Sequence, residues 1–172
     1  LLQAAGLRAE AAGNIGRPAL ELVGRPLDAA VLEVSSFQME AVEAFRPRVA
    51  VVLNVQPDHL DRHGSFAAYT EAKAQLFVRQ GAGDTAIGSG DDPHAAALVA
   101  RSGGRRWWFR TRGPVDAGAW WDAGQVVFRD SPALPLLRIA LDALATAGAG
   151  APPIDDVLAA LLVCRALGAD AA

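Results

Sequence analysis

Two short apolar runs, each ending in a dense polar cluster, constrain this chain more than any other feature. Residues 29–34 (AAVLEV) are apolar apart from one acid, and residues 48–55 (RVAVVLNV) are β-branched and nearly continuous. Neither run alternates as a half-exposed strand would, and both suit parallel strands buried on two faces. Helical spacing over residues 38–45 supplies the crossover that parallel strands require. A polar turn over 56–65 then leads to a helix expected over 66–80, a strand over 84–88 and a helix over 93–101. This alternation predicts an α/β fold: a doubly wound, mostly parallel sheet with flanking helices.

Further along, Trp107-Trp108-Phe109 reads as another strand, and residues 119–128 read as a hairpin turning at Asp122-Ala123-Gly124. The four tryptophans fall in these late strands and are read as packing residues. Residues 136–147 and 154–167 carry helical spacing, with Pro152-Pro153 between them. Residues 1–6 (LLQAAG) read as the last turns of a helix closed by glycine, so the sheet is expected to be incomplete at its N-terminus. The division that follows is a main unit over 1–135 and a helical remnant over 136–172, the start of a further domain.

With 52% hydrophobic and 20% charged residues, the chain has the material for one real core. A net charge of −3 argues against a nucleic-acid partner; Arg105-Arg106 is a local pair that a solvated loop explains. The single cysteine, Cys164, excludes an internal disulfide, fits a reducing compartment, and lies in an apolar run where a buried thiol is expected. No apolar run reaches the ~18 residues of a membrane span and no signal peptide is visible, so a cytoplasmic location is expected. Of the sixteen basic residues only Lys73 is a lysine, which is either chance or a place where a guanidinium cannot serve.

In open α/β sheets, functional groups gather at the carboxyl ends of strands. Glu33-Val34-Ser35-Ser36-Phe37-Gln38 occupies one such position. Its carboxylate reads either as a structural ion pair or as a metal ligand, and Ser35 or Ser36 as a helix cap. The second cluster, Asn54 to Gly64 (NVQPDHLDRHG), holds two histidines, an arginine and two acids in eleven residues. Two histidines without a third soft ligand do not make a zinc site; oxygen ligands with one imidazole suit magnesium. Asp61 and Arg62 are read as ordering the loop, His63 has no assignable role, and His94 is read as part of a helix start.

These segments resemble those of the Mur ligases. Gly13-Asn14-Ile15-Gly16-Arg17-Pro18, the Glu33 motif, the Asn54–His63 motif and Tyr69-Thr70-Glu71-Ala72-Lys73 stand in the family's order. Ser-Ser-Phe-Gln resembles the D-glutamate-adding branch in particular. The resemblance implies an ATP- and Mg²⁺-dependent ligase that joins D-glutamate to UDP-N-acetylmuramoyl-L-alanine through an acyl phosphate. It implies that Glu33, His59 and a carbamylated Lys73 serve the metal and catalysis, and that Asn14 and Ser35 lie against the muramoyl substrate. A lysine, unlike an arginine, can be neutralised and so carbamylated. The family's Gly-Lys-Thr/Ser phosphate loop is absent, as are a His-Asn pair before residue 143 and a Gly-Leu-Pro-His-Arg-like segment near Arg165. The chain alone is therefore expected to be inactive. Two other readings stay open: a non-catalytic α/β module, and another member of the wider Mur ligase and folylpolyglutamate synthase superfamily.

Overall fold

In the structure, a computed structural model, residues 1–140 and 152–169 are described. The sheet that dominates it grows from the second apolar run. Strands β3 (Val49–Val52), β4 (Thr85–Ser89), β5 (Arg105–Arg110) and β6 (Gly118–Asp122) lie side by side and parallel. The hairpin partner β7 (Gln125–Arg129) and then β8 (Leu137–Ala140) extend it antiparallel. The hairpin turns at Ala123 and Gly124, both at positive φ as a two-residue turn requires. A separate pair, β1 (Ala9–Gly13) and β2 (Ala29–Glu33), is also parallel. Among the described residues β2 and β3 each leave one edge without a strand partner.

The second apolar run lies between two covering layers as expected, whereas the first does not: β2 is largely exposed, with Val31 46% exposed. Ala50, Val52 and Ala86 point to a face covered by α3 (Phe66–Ala74) and α4 (Pro93–Val99), where Phe77, Leu98 and Val99 complete the core. Val49, Val51, Ile87, Trp107 and Phe109 point to the other face, against Leu158, Ala159 and Leu162 of α5 (Ile154–Ala166). Neighbouring residues on one strand thus serve opposite layers, as the strand period of two demands. The far end of α5 reaches the smaller sheet, where Cys164 and Ala169 pack on Ala9 and the partly buried Ala29. The expected mostly parallel α/β sheet with flanking helices is what forms, and no helix among the described residues is long and apolar enough to cross a membrane.

Several local expectations shift. Residues 137–140 form an edge strand, not the start of a helix over 136–147. The free edge of β7 is there to pair with, Ile139 packs toward the core, and Arg138 reaches Asp122 at 2.9 Å. The rest of that expected helix, 141–147, lies outside the described residues. The described part of the expected remnant over 136–172 adds a strand and a core helix to this same body. Helix α1 (Ser36–Glu40) starts earlier and is shorter than the spacing over 38–45 indicates, because Ser35 and Gln38 close a capping box at its N-terminus. α3 gives way after Ala74 to looser turns. The polar turn contains a four-residue helix, α2 (Leu60–His63). Strand β1, rich in alanine and without a period, was not expected from the sequence. Residues 1–6 form turns, not a helix, but close on glycine as anticipated: Gly6 is left-handed, and Leu7 and Gly6 donate back to Leu2 and Gln3 at 3.1 and 3.0 Å.

Candidate functional site

The polar clusters converge at the carboxyl ends of the strands. Gly13, at the end of β1, sits opposite Glu33, and a Cβ there would come 2.1 Å from the Glu33 carbonyl oxygen. Only glycine permits that approach. The next amide, Asn14 N–H, donates to the same carbonyl at 2.9 Å, which brings Asn14 and Glu33 to one place. The turn beyond is held by Gly13 N–H donating to Arg17 O at 2.9 Å, and by Arg17 and Arg25 both pairing with Glu10 at 2.6 Å. The Glu33 carboxylate is exposed and has no hydrogen-bond or ion-pair partner among the described residues. Its reading as a structural ion pair therefore has no partner to support it.

Ser35 caps α1: its Oγ accepts from Gln38 N–H at 3.3 Å, while its own N–H donates to Gln38 Oε1 at 2.9 Å. Ser36 turns inward, and its Oγ lies 3.0 Å from His63 Nε2. The other ring nitrogen, Nδ1, lies 2.9 Å from Glu40 Oε1. The Phe37 ring is stacked on His63 at 5.2 Å and tilted against His59 at 4.9 Å, with the Arg62 guanidinium 5.8 Å from its centre. His63 also meets the edge of Tyr69 at 5.4 Å, and Lys73 Nζ stands 5.1 Å over the Tyr69 ring. One continuous stack thus runs from His59 through Phe37, His63 and Tyr69 to Lys73.

His59 itself is half exposed and sits in the left-handed region at φ 52, with its N–H donating to Asp58 at 2.8 Å. A non-glycine residue held there costs on the order of 1–3 kcal/mol, and such strain clusters at functional sites. Lys73 is half-buried with no acid in ion-pair range among the described residues. Four of the expected residues are thereby placed: Asn14 beside Glu33, and His59 joined to Lys73 through aromatic contacts. Sequence reasoning gave no role to Phe37, Glu40 or Tyr69, read Ser36 only as an alternative helix cap, which Ser35 supplies, and left His63 unassigned. A signal existed: Ser36 and Glu40, His59 and His63, and Tyr69 and Lys73 are each four apart, the spacing that shares a helix face.

A cleft of about 390 Å³ lies at the ends of β3, β4 and β5, lined by Asn54, Gln56, Asp91, His94, Thr111 and Asp155 among others. Asp92 ties its walls together, accepting from Val55 N–H at 2.7 Å and from His94 and Ala95 N–H at 2.8 and 3.0 Å. Burial pushes the Asp92 carboxyl up, but the three amides outweigh it and hold its pKa below the usual value. Burial first, then the charges of Asp91 and Asp156, pushes Asp155 up. His94 follows the helix start as expected, with its ring edge-on to Phe66 at 4.8 Å.

Comparison with known proteins gives a consistent answer. Residues 15–131 match the family model of the Mur ligase middle domain. A protein of Acidobacterium capsulatum named UDP-N-acetylmuramoylalanine–D-glutamate ligase is 40% identical over 99% of this chain, which spans 37% of that relative. One of the same name from Desulfotalea psychrophila is 55% identical over 54% of this chain and 21% of its own length. Among solved structures, the MurF ligase of Thermotoga maritima in complex with ADP superposes with a TM-score of 0.60 at 21% identity, covering 98% of this chain and 41% of that one. At that identity the likeness concerns the fold alone.

Proposed function

We propose, given that the chain belongs to the Mur ligase family as a middle domain, that the full protein is an ATP-dependent ligase. It adds D-glutamate to UDP-N-acetylmuramoyl-L-alanine in peptidoglycan precursor synthesis, a cytoplasmic step. The observation that carries the reading is 40% identity along 99% of the chain to a relative bearing that name. In this reading the substrate carboxylate takes the γ-phosphoryl group of ATP, and the amine of D-glutamate attacks the resulting acyl phosphate and releases phosphate.

The donor set fits magnesium. This cation uses one or two protein carboxylates and keeps its remaining positions for water and phosphate. The unpaired Glu33 carboxylate and the half-exposed His59 imidazole answer that need, whereas no cluster of three His, Cys, Asp or Glu stands ready among the described residues. His63 is unavailable as a ligand because both ring nitrogens are engaged. We assign Glu33, His59 and a carbamylated Lys73 to the metal, and Asn14 and Ser35 to the muramoyl substrate. Bound magnesium supplies Lewis acidity and charge neutralisation at the transferring phosphoryl group. Lys73 Nζ stands 5.1 Å over the Tyr69 ring, and in this reading its carbamate is drawn by the metal cation.

The test is turnover by the full-length protein with ATP, magnesium and UDP-N-acetylmuramoyl-L-alanine, offering D-glutamate or other amino acids. Phosphate release and a product of the right mass with D-glutamate alone are expected. Incorporation of another amino acid moves the protein to another branch of the superfamily, and no turnover at all favours the non-catalytic module.

A further inference from the structure

Helix α2 ought not to exist on its own. Four residues are far below the length at which helical hydrogen bonds offset the cost of nucleation. Its N-cap, His59, supplies no side-chain bond and is itself in the strained left-handed region. The polar contacts that hold α2 come from α1, while Tyr69 of α3 packs on the His63 ring. The His63 side chain is 1% exposed, and each of its polar atoms has a partner on α1: Ser36 on Nε2 and Glu40 on Nδ1. Its ring face lies parallel to Phe37, within 9°. Arg62 adds a second cation to Glu40 at 3.1 Å and covers Phe37 from outside.

Serine, histidine and carboxylate in this order have the form of a nucleophilic triad, but Ser36 is 4% exposed and its Oγ is closed off from any substrate. The Ser36 contact does not depend on the tautomer of His63, since a hydroxyl can donate to a ring nitrogen or accept from it.

What this arrangement holds is the segment bearing His59. His59 lies one turn before His63 and packs against the same Phe37 ring. We propose that Ser36, Glu40 and His63 form a latch that locks residues 57–64 in the conformation presenting His59, with His63 a positioning residue of the ligase site. This rests on the function proposed above. It also accounts for a Phe at position 37, whose ring is the common wedge for both histidines.

The test uses the full-length protein with His63→Ala, Ser36→Ala, Glu40→Ala and Glu40→Gln. Loss of an outer contact to a metal-binding histidine is expected to raise the magnesium concentration for half-maximal turnover about 10–100-fold. At saturating magnesium, kcat falls far less. In protein without metal or nucleotide, amide exchange at Arg62, His63 and Gly64 is expected to quicken at least about tenfold, with α3 and α4 unaltered. Glu40→Gln keeps the accepting oxygen and restores most of both properties, whereas Glu40→Ala does not.

Unchanged exchange at residues 62–64 in His63→Ala overturns the latch, as does faster exchange spread over the whole domain. Local loosening with an unchanged magnesium requirement overturns its role in presenting His59. An inactive wild-type protein sinks the ligase reading instead, and the exchange measurement still decides whether the latch exists.

Discussion

Replacing Asp92 by alanine tests how the strand-end cleft is held together. The carboxylate performs two separable tasks. Oδ1 caps α4 through the amides of His94 and Ala95, and Oδ2 anchors Val55, the residue at which the β3 strand end turns into the His59 loop. Losing the cap costs about 1 kcal/mol. The Val55 amide belongs to a residue only 3% exposed, so stripping its acceptor leaves a buried donor unsatisfied, at about 1–3 kcal/mol. The sum for Asp92→Ala is about 2–4 kcal/mol. Asp92→Asn keeps an oxygen for the cap but turns a donor toward Val55, so its expected cost is smaller than that of alanine by about 1 kcal/mol. Urea unfolding followed by tryptophan fluorescence reads both, with amide exchange at Val55 as the local check. The pH dependence has a fixed sign. The folded pKa lies below the unfolded value, so the stabilisation is fully present above about pH 4 and is lost as pH falls through the folded pKa. A change below about 1 kcal/mol in Asp92→Ala, or a gap between wild type and Asp92→Asn that widens in acid, refutes the reasoning.

Phe77→Ala removes a wholly buried ring from the core beneath α4, and calorimetry should show a loss of about 3–5 kcal/mol. Gly118→Ala is expected to abolish soluble expression, since its Cβ would lie 1.8 Å from Trp108 O in the β5–β6 pairing. Gly6→Ala, at φ 82 in open space, costs only about 1–2 kcal/mol in a denaturant melt. Lys73→Arg keeps the charge over Tyr69 but cannot be carbamylated, so turnover of the full-length protein should fall about a hundredfold. A carbamate signal from carbon-13 bicarbonate should then be present in wild type and absent in the variant; full activity in Lys73→Arg ends the carbamate assignment.

The sequence by itself settled the α/β class, most strand positions and the order of the polar clusters, because these depend on information local in the chain. Runs such as 48–55 suit a strand between two covering layers, and Asp122-Ala123-Gly124 suits a tight turn. It also singled out Glu33, His59 and Lys73 as candidates, through the resemblance of their motifs to those of the Mur ligases. The role of residues 137–140 was not legible: a short apolar segment serves helix or strand equally, and the free edge of β7 decided the matter. Nor was that of His63. Its partners, Ser36 and Glu40, lie 27 and 23 positions away, and nothing in the spacing of either motif says which faces will meet. That was left to the packing of α1 against α2 and α3, where the His63 imidazole is buried between the Phe37 and Tyr69 rings and meets two polar partners.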